Sequence, residues 1–164
     1  TGAPWKDFLV DSMIVSESLA ISIGIHQLVS LSTQRPRPYA YSTELGPALA
    51  DDANSYLSFY SGHTANSFVA ATATSYVFSV RYPRSSWRIP LWAVSHGLAA
   101  LDGYLRIAAG YHHVSDVVVG AIVGSSIGLV VPTLHRSDGS SGRQARLTPM
   151  PVPGGAVLSV TWTN

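Results

Sequence analysis

Four long, mostly apolar stretches alternate with short segments rich in proline, glycine and charge. The first runs from about Lys6 to Ser32. Asp7, Asp11, Glu17 and His26 interrupt its apolar positions, so it is amphipathic only in parts. Arg35-Pro36-Arg37-Pro38 ends it, because proline lacks an N–H and disfavours helix in the residue before it. A loop follows to about Phe59, marked by Gly46-Pro47 and Asp51-Asp52-Ala53-Asn54. The second helix is predicted over Thr64–Val80 and is rich in Ala, Ser and Thr. Arg81-Tyr82-Pro83-Arg84-Ser85-Ser86 forms the next turn. The third helix runs over Trp87–Ala109 and is broken by Gly110-Tyr111. The fourth starts near His112 or Val114 and runs to Val131, ahead of Pro132.

From Ser137 the composition shifts to Ser, Gly, Arg and Pro. Only Ala156–Trp162 alternates there, weakly, as one short strand would. There is no internal repeat. The pattern predicts an all-α fold, a helical bundle of about four main helices, with an irregular C-terminal tail. It divides the chain into a helical domain over 1–136 and a tail over 137–164.

Composition sharpens this. The 164 residues suffice for one domain with a sizeable core. Charged residues make up 12%, against roughly 25% in an ordinary soluble domain. Either the core is large for the surface, or part of the surface faces something other than water. A net charge of +1 without a basic run argues against nucleic acid as a partner. The absence of cysteine excludes a disulfide framework, a thiol nucleophile and a thiolate metal site. No signal peptide is visible at Thr1-Gly2-Ala3-Pro4, and the lack of an initiator Met leads to the expectation of a preceding segment.

A bilayer span needs about 20 mostly apolar residues. Val117–Leu134 is uncharged but contains Pro132, and Thr64–Val80 is uncharged but full of small polar residues. Gly120, Gly124 and Gly128 lie four apart, which suits close helix packing in lipid and in tight soluble bundles alike. Both a membrane-embedded and a soluble bundle fit.

The stretch Leu105–Gly120 sets an arginine, two adjacent histidines and an aspartate beside an apolar run. His112 and Asp116 are spaced i, i+4, so a helix places them on one face, where a carboxylate can fix an imidazole tautomer. Arg106 lies across the Gly110 break and can point into the same pocket. Upstream, Tyr60-Ser61-Gly62-His63 puts a glycine and a hydroxyl at a helix start, where free N–H groups suit phosphate. Arg35 and Arg37 add guanidinium forks that match phosphate oxygens. Each cluster alone also reads as a turn, a cap or a solvated linker. A histidine pair beside carboxylates invites zinc, but the arginines point to an anion.

Together, in this order, the clusters resemble the motifs of the type 2 phosphatidic acid phosphatase superfamily. That superfamily includes lipid phosphatases, periplasmic acid phosphatases and vanadium haloperoxidases. Its motifs are Lys-x6-Arg-Pro, Pro-Ser-Gly-His and Ser-Arg-x5-His-x3-Asp. Here Arg37-Pro38 matches the first, Tyr60-Ser61-Gly62-His63 the second, and Leu105-Arg106 with His112 and Asp116 the third. The resemblance covers about residues 10–131. One departure stands out: the family lysine falls on Ser30, and the only lysine in the chain is Lys6. Arg35 is the candidate replacement.

The resemblance implies metal-independent hydrolysis of a phosphomonoester, lipid phosphate or pyrophosphate through a phosphohistidine. His112 would be the nucleophile, Asp116 its orienter and His63 the general acid. Arg37, Arg106, Ser61 and Gly62 would bind the phosphate oxygens. No cofactor is expected, although vanadate can mimic the phosphoryl group. His113, at i+1, has no assigned role. The implied partners are a phosphorylated small molecule or lipid, and the implied place is extracytoplasmic, membrane-embedded or periplasmic. A degenerate member that binds phosphate or lipid head groups without turnover, and a vanadate-dependent haloperoxidase, are the alternatives. The aromatic residues Tyr39, Tyr41, Tyr56 and Phe59 are read as packing rather than as a pocket mouth.

Overall fold

The computed structural model describes residues 4–43, 52–136, 144–152 and 155–163. The chain divides into two compact units, 1–134 and 135–164. The first unit holds four helices: α1 (Pro4–Thr33), α2 (Gly62–Arg81), α3 (Arg88–Ala108) and α4 (Val114–Leu134). All four stand within a few residues of the predicted bounds. Gln34 takes a left-handed backbone with φ 44° and stops α1, and Arg35-Pro36 prevents its resumption. Gly110, at φ 70°, breaks the chain between α3 and α4. Pro132 does not end α4, which continues to Leu134. The Gly46-Pro47 turn lies outside the described residues.

The second unit differs from the expected irregular tail. Gln144–Val152 (β1) and Gly155–Thr163 (β2) pair as an antiparallel ladder, with Leu147 opposite Val160. β2 contains the predicted strand. β1 was hidden because Pro149 and Pro151 cannot donate to a ladder, a feature tolerated only at an edge.

Within the first unit α2 is central and packs most extensively on α4. The contact is backbone to backbone. A Cβ added at Gly120 would lie 2.7 Å from the Ser61 carbonyl oxygen, and one at Gly128 would lie 2.8 Å from that of Val69. A Cβ at Gly124 would collide with the Ala65 carbonyl. Positions 120, 124 and 128 thus meet 61, 65 and 69, two i, i+4 rows in register. This register carries the start of α2 onto the start of α4, where the Ser61 N–H donates to the Asp116 carbonyl at 3.0 Å.

The interior is small and partly polar. Ala65, Val69, Ala73 and Ala99 are buried, and so are Ser18, Ser22, Ser30 and Ser75. The large apolar side chains lie outside: Phe8 is 69% exposed, Leu28 70%, Leu98 63% and Ile122 62%. A core built of alanine and serine under a coat of leucine, isoleucine and phenylalanine inverts the arrangement expected in water. Two segments, Trp5–Tyr41 and Val114–Leu134, are long and apolar enough to cross a membrane.

Candidate active site

The end of α1, the start of α2, the end of α3 and the start of α4 meet at one end of the bundle. Short extended segments link them. The Arg37 N–H donates to Ser55 at 2.8 Å and the Ser58 N–H to Arg35 at 3.0 Å, so the two chain segments run side by side. The Tyr39 N–H donates to the Gly110 carbonyl at 3.2 Å. The Gly110 break therefore anchors the arginine segment beside His112.

A cavity of about 200 Å³ opens at this end. Arg37, Gly62, His63 and His112 line it, together with Ile23, His26, Gln27 and Asn66. Four of the seven expected site residues thus face one space, drawn from all three motifs. Ser61, Arg106 and Asp116 do not line it. Ser61 is fully buried and caps α2: its Oγ accepts the Thr64 N–H at 3.4 Å and pairs with the Thr64 hydroxyl at 2.9 Å. The Arg106 guanidinium is held by Asp102, Nε to Oδ1 at 3.3 Å, one helical turn back on α3.

His112 is 3% exposed and sits in the turn before α4. Its Nδ1–H donates to the Ser58 carbonyl at 2.8 Å, which leaves Nε2 as the ring's lone-pair nitrogen. Arg37 Nη1 stands 3.5 Å from Nε2. Burial first, and then the Arg37 charge, push the His112 pKa down from 6.5 to about 4, against the Ser58 bond and Asp116, which favour the cation. The ring is accordingly a neutral base with its lone pair turned to a guanidinium.

The expected hydrogen bond from the His112 ring to Asp116 is not made. Asp116 Oδ2 lies 3.8 Å from Nδ1. The carboxylate instead accepts from the Ser58 hydroxyl at 2.5 Å, the His113 N–H at 3.0 Å and Arg35 Nη1 at 2.6 Å. Arg35 also donates to the Ser115 hydroxyl at 2.8 Å. Arg35 is thus bound to Asp116 outside the cavity lining and does not replace the missing lysine there. Ser30 is buried, its hydroxyl turned back to the Gln27 carbonyl at 3.2 Å.

Arg37 is held firmly. Nε donates to the Asn54 carbonyl at 2.8 Å, Nη1 to Tyr111 at 3.2 Å and Nη2 to Leu57 at 3.4 Å. A guanidinium has five N–H donors, and with a fourth turned to His112 Nε2 one remains for a ligand. Asn66 accepts from the Ser22 hydroxyl through Oδ1 at 2.9 Å, which frees its amide N–H₂ for donation. His113 points elsewhere and donates from Nε2 to the Pro36 carbonyl at 3.2 Å. Tyr39 packs edge-on against Tyr111, with ring centroids 5.8 Å apart, and does not line the cavity.

Sequence reasoning missed Ser58, His26, Gln27 and Asn66. Ser58 acts through its carbonyl, and a backbone group leaves no mark in the sequence. His26 did leave one: it is the sole ionisable side chain between Ser18 and Gln34.

Residues 11–139 match the PAP2 superfamily. No curated protein sequence matches the chain. Among solved structures, the fold is similar to that of the first transmembrane PAP2 type phosphatidylglycerolphosphate phosphatase from Bacillus subtilis. The TM-score is 0.54 at 20% identity, over 81% of this chain and 70% of that one.

Proposed function

The chain belongs to the PAP2 superfamily, and on that premise we propose that it hydrolyses a lipid phosphate or pyrophosphate through a phosphohistidine on His112. One observation carries the reading: the unprotonated Nε2 of a buried imidazole stands 3.5 Å from Arg37 Nη1 in a cavity that His63 also lines.

In the proposed reaction Nε2 attacks phosphorus, and the P–O bond to the leaving group breaks with its electron pair going to oxygen. His63 gives that oxygen a proton. Water then attacks the phosphohistidine, His63 takes its proton, and the P–N bond breaks to return neutral His112. The Ser58 carbonyl supports the positive charge that the ring carries in between. The free Arg37 N–H and the one that turns from Nε2 to the phosphoryl group, with the Gly62 amide and the Asn66 amide, bind the equatorial oxygens. Gly62 opens α2, where the first amides have no intrahelical acceptor. Arg106 neighbours His63 electrostatically and joins the oxyanion by leaving its 3.3 Å contact with Asp102.

The lipid part of the reading rests on the inverted bundle. With no hydrophobic drive between helices in lipid, small residues pack inside and large apolar ones face the acyl chains. The exposed Phe8, Leu28, Leu98 and Ile122 fit that solvent and would form a very large apolar surface in water. Lys6, Arg81, Arg84 and Arg88 lie at the end away from the cavity, where Arg81 pairs with Asp7 and Asp11. At the cavity end Arg35, Arg37 and Arg106 are engaged by Asp116, by backbone carbonyls and by Asp102. Four of these basic side chains against three favour the cytoplasmic side for the far end, which turns the cavity outward.

The test is phosphate release from phosphatidic acid in detergent micelles and from a water-soluble phosphomonoester, for the unmutated chain and His112→Ala. Release from the lipid that the variant abolishes supports the reading. Release from the soluble ester alone refutes its lipid part. The competing reading, phosphate binding without turnover, draws on Ser30 in the place of the family lysine. It wins if the chain binds phosphate and releases none.

A further inference from the structure

We propose that His26 is a phosphate-binding residue of the cavity, supplying from α1 the contact that no lysine provides. The inference rests on the reading of the cavity as a phosphoryl site and names a residue that none of the three motifs contains.

Three observations carry it. First, His26 lines the cavity together with Arg37, Gly62, His63 and His112. Ile23, His26 and Gln27 share one face of α1 and form that wall. Ser30 continues the same face but is buried and bonded within its own helix. The polar wall is therefore supplied one turn before position 30.

Second, the imidazole is seated on Gly62. A Cβ there would lie 2.8 Å from His26 Cε1 and Nε2 and 2.9 Å from Cδ2. Any side chain at 62 would strike that edge. Gly62 thus leaves room for His26 as well as opening α2, and it sets the imidazole beside the amides at the helix start, where an oxyanion is attracted.

Third, His26 is the sole ionisable group in the seventeen residues 18–34, the otherwise uncharged part of α1 and the turn after it. A polar group in such a helix that faces a polar cavity is a functional feature more often than a filler. One ring nitrogen is used by a hydrogen bond to the Tyr60 backbone, and the ring meets Tyr60 edge-on at 5.4 Å. The second nitrogen is left for a ligand. A phosphomonoester loses its second proton near pH 6, so its monoanion beside a neutral imidazole holds the same protons as its dianion beside an imidazolium. Either way one proton bridges a phosphoryl oxygen and His26. No three metal-binding side chains converge among the described residues, so the cavity's histidines do not form a ready metal cage.

The experiment compares the full chain with His26→Phe, His26→Ala and His26→Lys in detergent. It reads KM, kcat, the competitive inhibition constant of inorganic phosphate, and the thermal midpoint. His26→Phe keeps a ring against Tyr60 and removes both nitrogens; His26→Ala serves if the larger ring fails to fold. The expected result is a rise of tenfold or more in KM and in the phosphate constant, a smaller fall in kcat, and recovery to within a few-fold in His26→Lys. Unchanged KM and phosphate constants in a folded Phe or Ala variant would overturn the proposal and leave His26 as packing for Tyr60. If the unmutated chain binds phosphate but hydrolyses nothing, the dissociation constant of inorganic phosphate carries the same comparison. The hydrolytic reading then fails separately from this one. A chain that neither hydrolyses nor binds phosphate sinks both.

Discussion

His112 donates its Nδ1 proton to the backbone carbonyl of Ser58 at 2.8 Å, while the Asp116 carboxylate stays 3.8 Å away. Asp116 reaches the ring through Ser58, whose hydroxyl it accepts at 2.5 Å. The aspartate therefore locks the segment that holds the imidazole. Asp116→Asn leaves the Ser58 carbonyl in place, so it lowers kcat by roughly 10- to 100-fold rather than abolishing it, the usual effect of losing a group that positions an imidazole at second hand. It also weakens the buried end of the Arg35 pair and costs roughly 2–3 kcal/mol, the range for hydrogen bonds to charged groups. Ser58→Ala keeps the carbonyl and loses one hydrogen bond to the carboxylate, worth roughly 1.5–3 kcal/mol of stability, and its rate loss is smaller than that of Asp116→Asn because His113 and Arg35 still hold Asp116. Steady-state kinetics on the three proteins check the order. A Ser58→Ala loss larger than that of Asp116→Asn would overturn it.

The glycine row of α4 couples stability to the site. Gly124→Ala drives a methyl into the Ala65 carbonyl and parts α2 from α4. The expected cost is roughly 1–3 kcal/mol, as for other overpacked contacts. Turnover falls as well, because Ser61 and Asp116 hold the two helix starts together across that contact. Gly97→Ala is the control. Nothing lies within 4 Å of a Cβ at 97, and the helix gains up to about 1 kcal/mol in propensity. Thermal unfolding and phosphate release for both variants check the contrast.

Much of this was legible in the sequence, for identifiable reasons. Arg35-Pro36 and Gly110 punctuate the chain chemically, so α1 and α3 could be bounded without tertiary information. The glycines at 120, 124 and 128 announced a close helix contact, although not that its partner row is 61, 65 and 69. Within the site, the side chains legible by their rare chemistry, Arg37, His63 and His112, face one cavity. Relations through the backbone were not legible. The i, i+4 spacing of His112 and Asp116 suggested a direct bond, but His112 lies before the first turn of α4 and its Nδ1 meets a carbonyl from residue 58. Arg35 and Arg37 are two apart in a proline-punctuated segment, yet Arg35 binds Asp116 while Arg37 lines the cavity. Only the fold decides which one reaches the cavity.

The neutral state of His112 sets a pH dependence. In the proposed reaction His112 attacks unprotonated, and burial and Arg37 hold its pKa at about 4 rather than 6.5. The acid limb of kcat/KM, which reports groups in the free enzyme, should therefore fall near pH 4. Stability follows with a defined sign. Between 6.5 and about 4 the unfolded chain binds a proton at His112 that the folded chain does not, so stability falls as pH drops through that window and this contribution levels off below it. The thermal midpoint of His112→Gln should vary less over the same range. An acid limb near 6.5, with no difference in slope between the two proteins, would refute the assignment.

Orientation gives the last prediction. The chain has no cysteine, so a single introduced thiol reports which side of a membrane it occupies. Thr43 is exposed on the connection that follows the cavity-end arginines, and Ser86 is exposed in the turn that joins α2 to α3 at the opposite end. The basic residues Arg81, Arg84 and Arg88 surround Ser86, and a cluster of this kind is retained on the cytoplasmic side. A membrane-impermeant maleimide applied to intact cells should label Thr43→Cys and spare Ser86→Cys until the membrane is permeabilised. The reverse pattern would turn the cavity inward and require a substrate from the cytoplasmic leaflet. Labelling that does not depend on permeabilisation at either site would mean that the two ends of the bundle are not separated by a bilayer, and the inverted distribution of serine and leucine would then need another explanation.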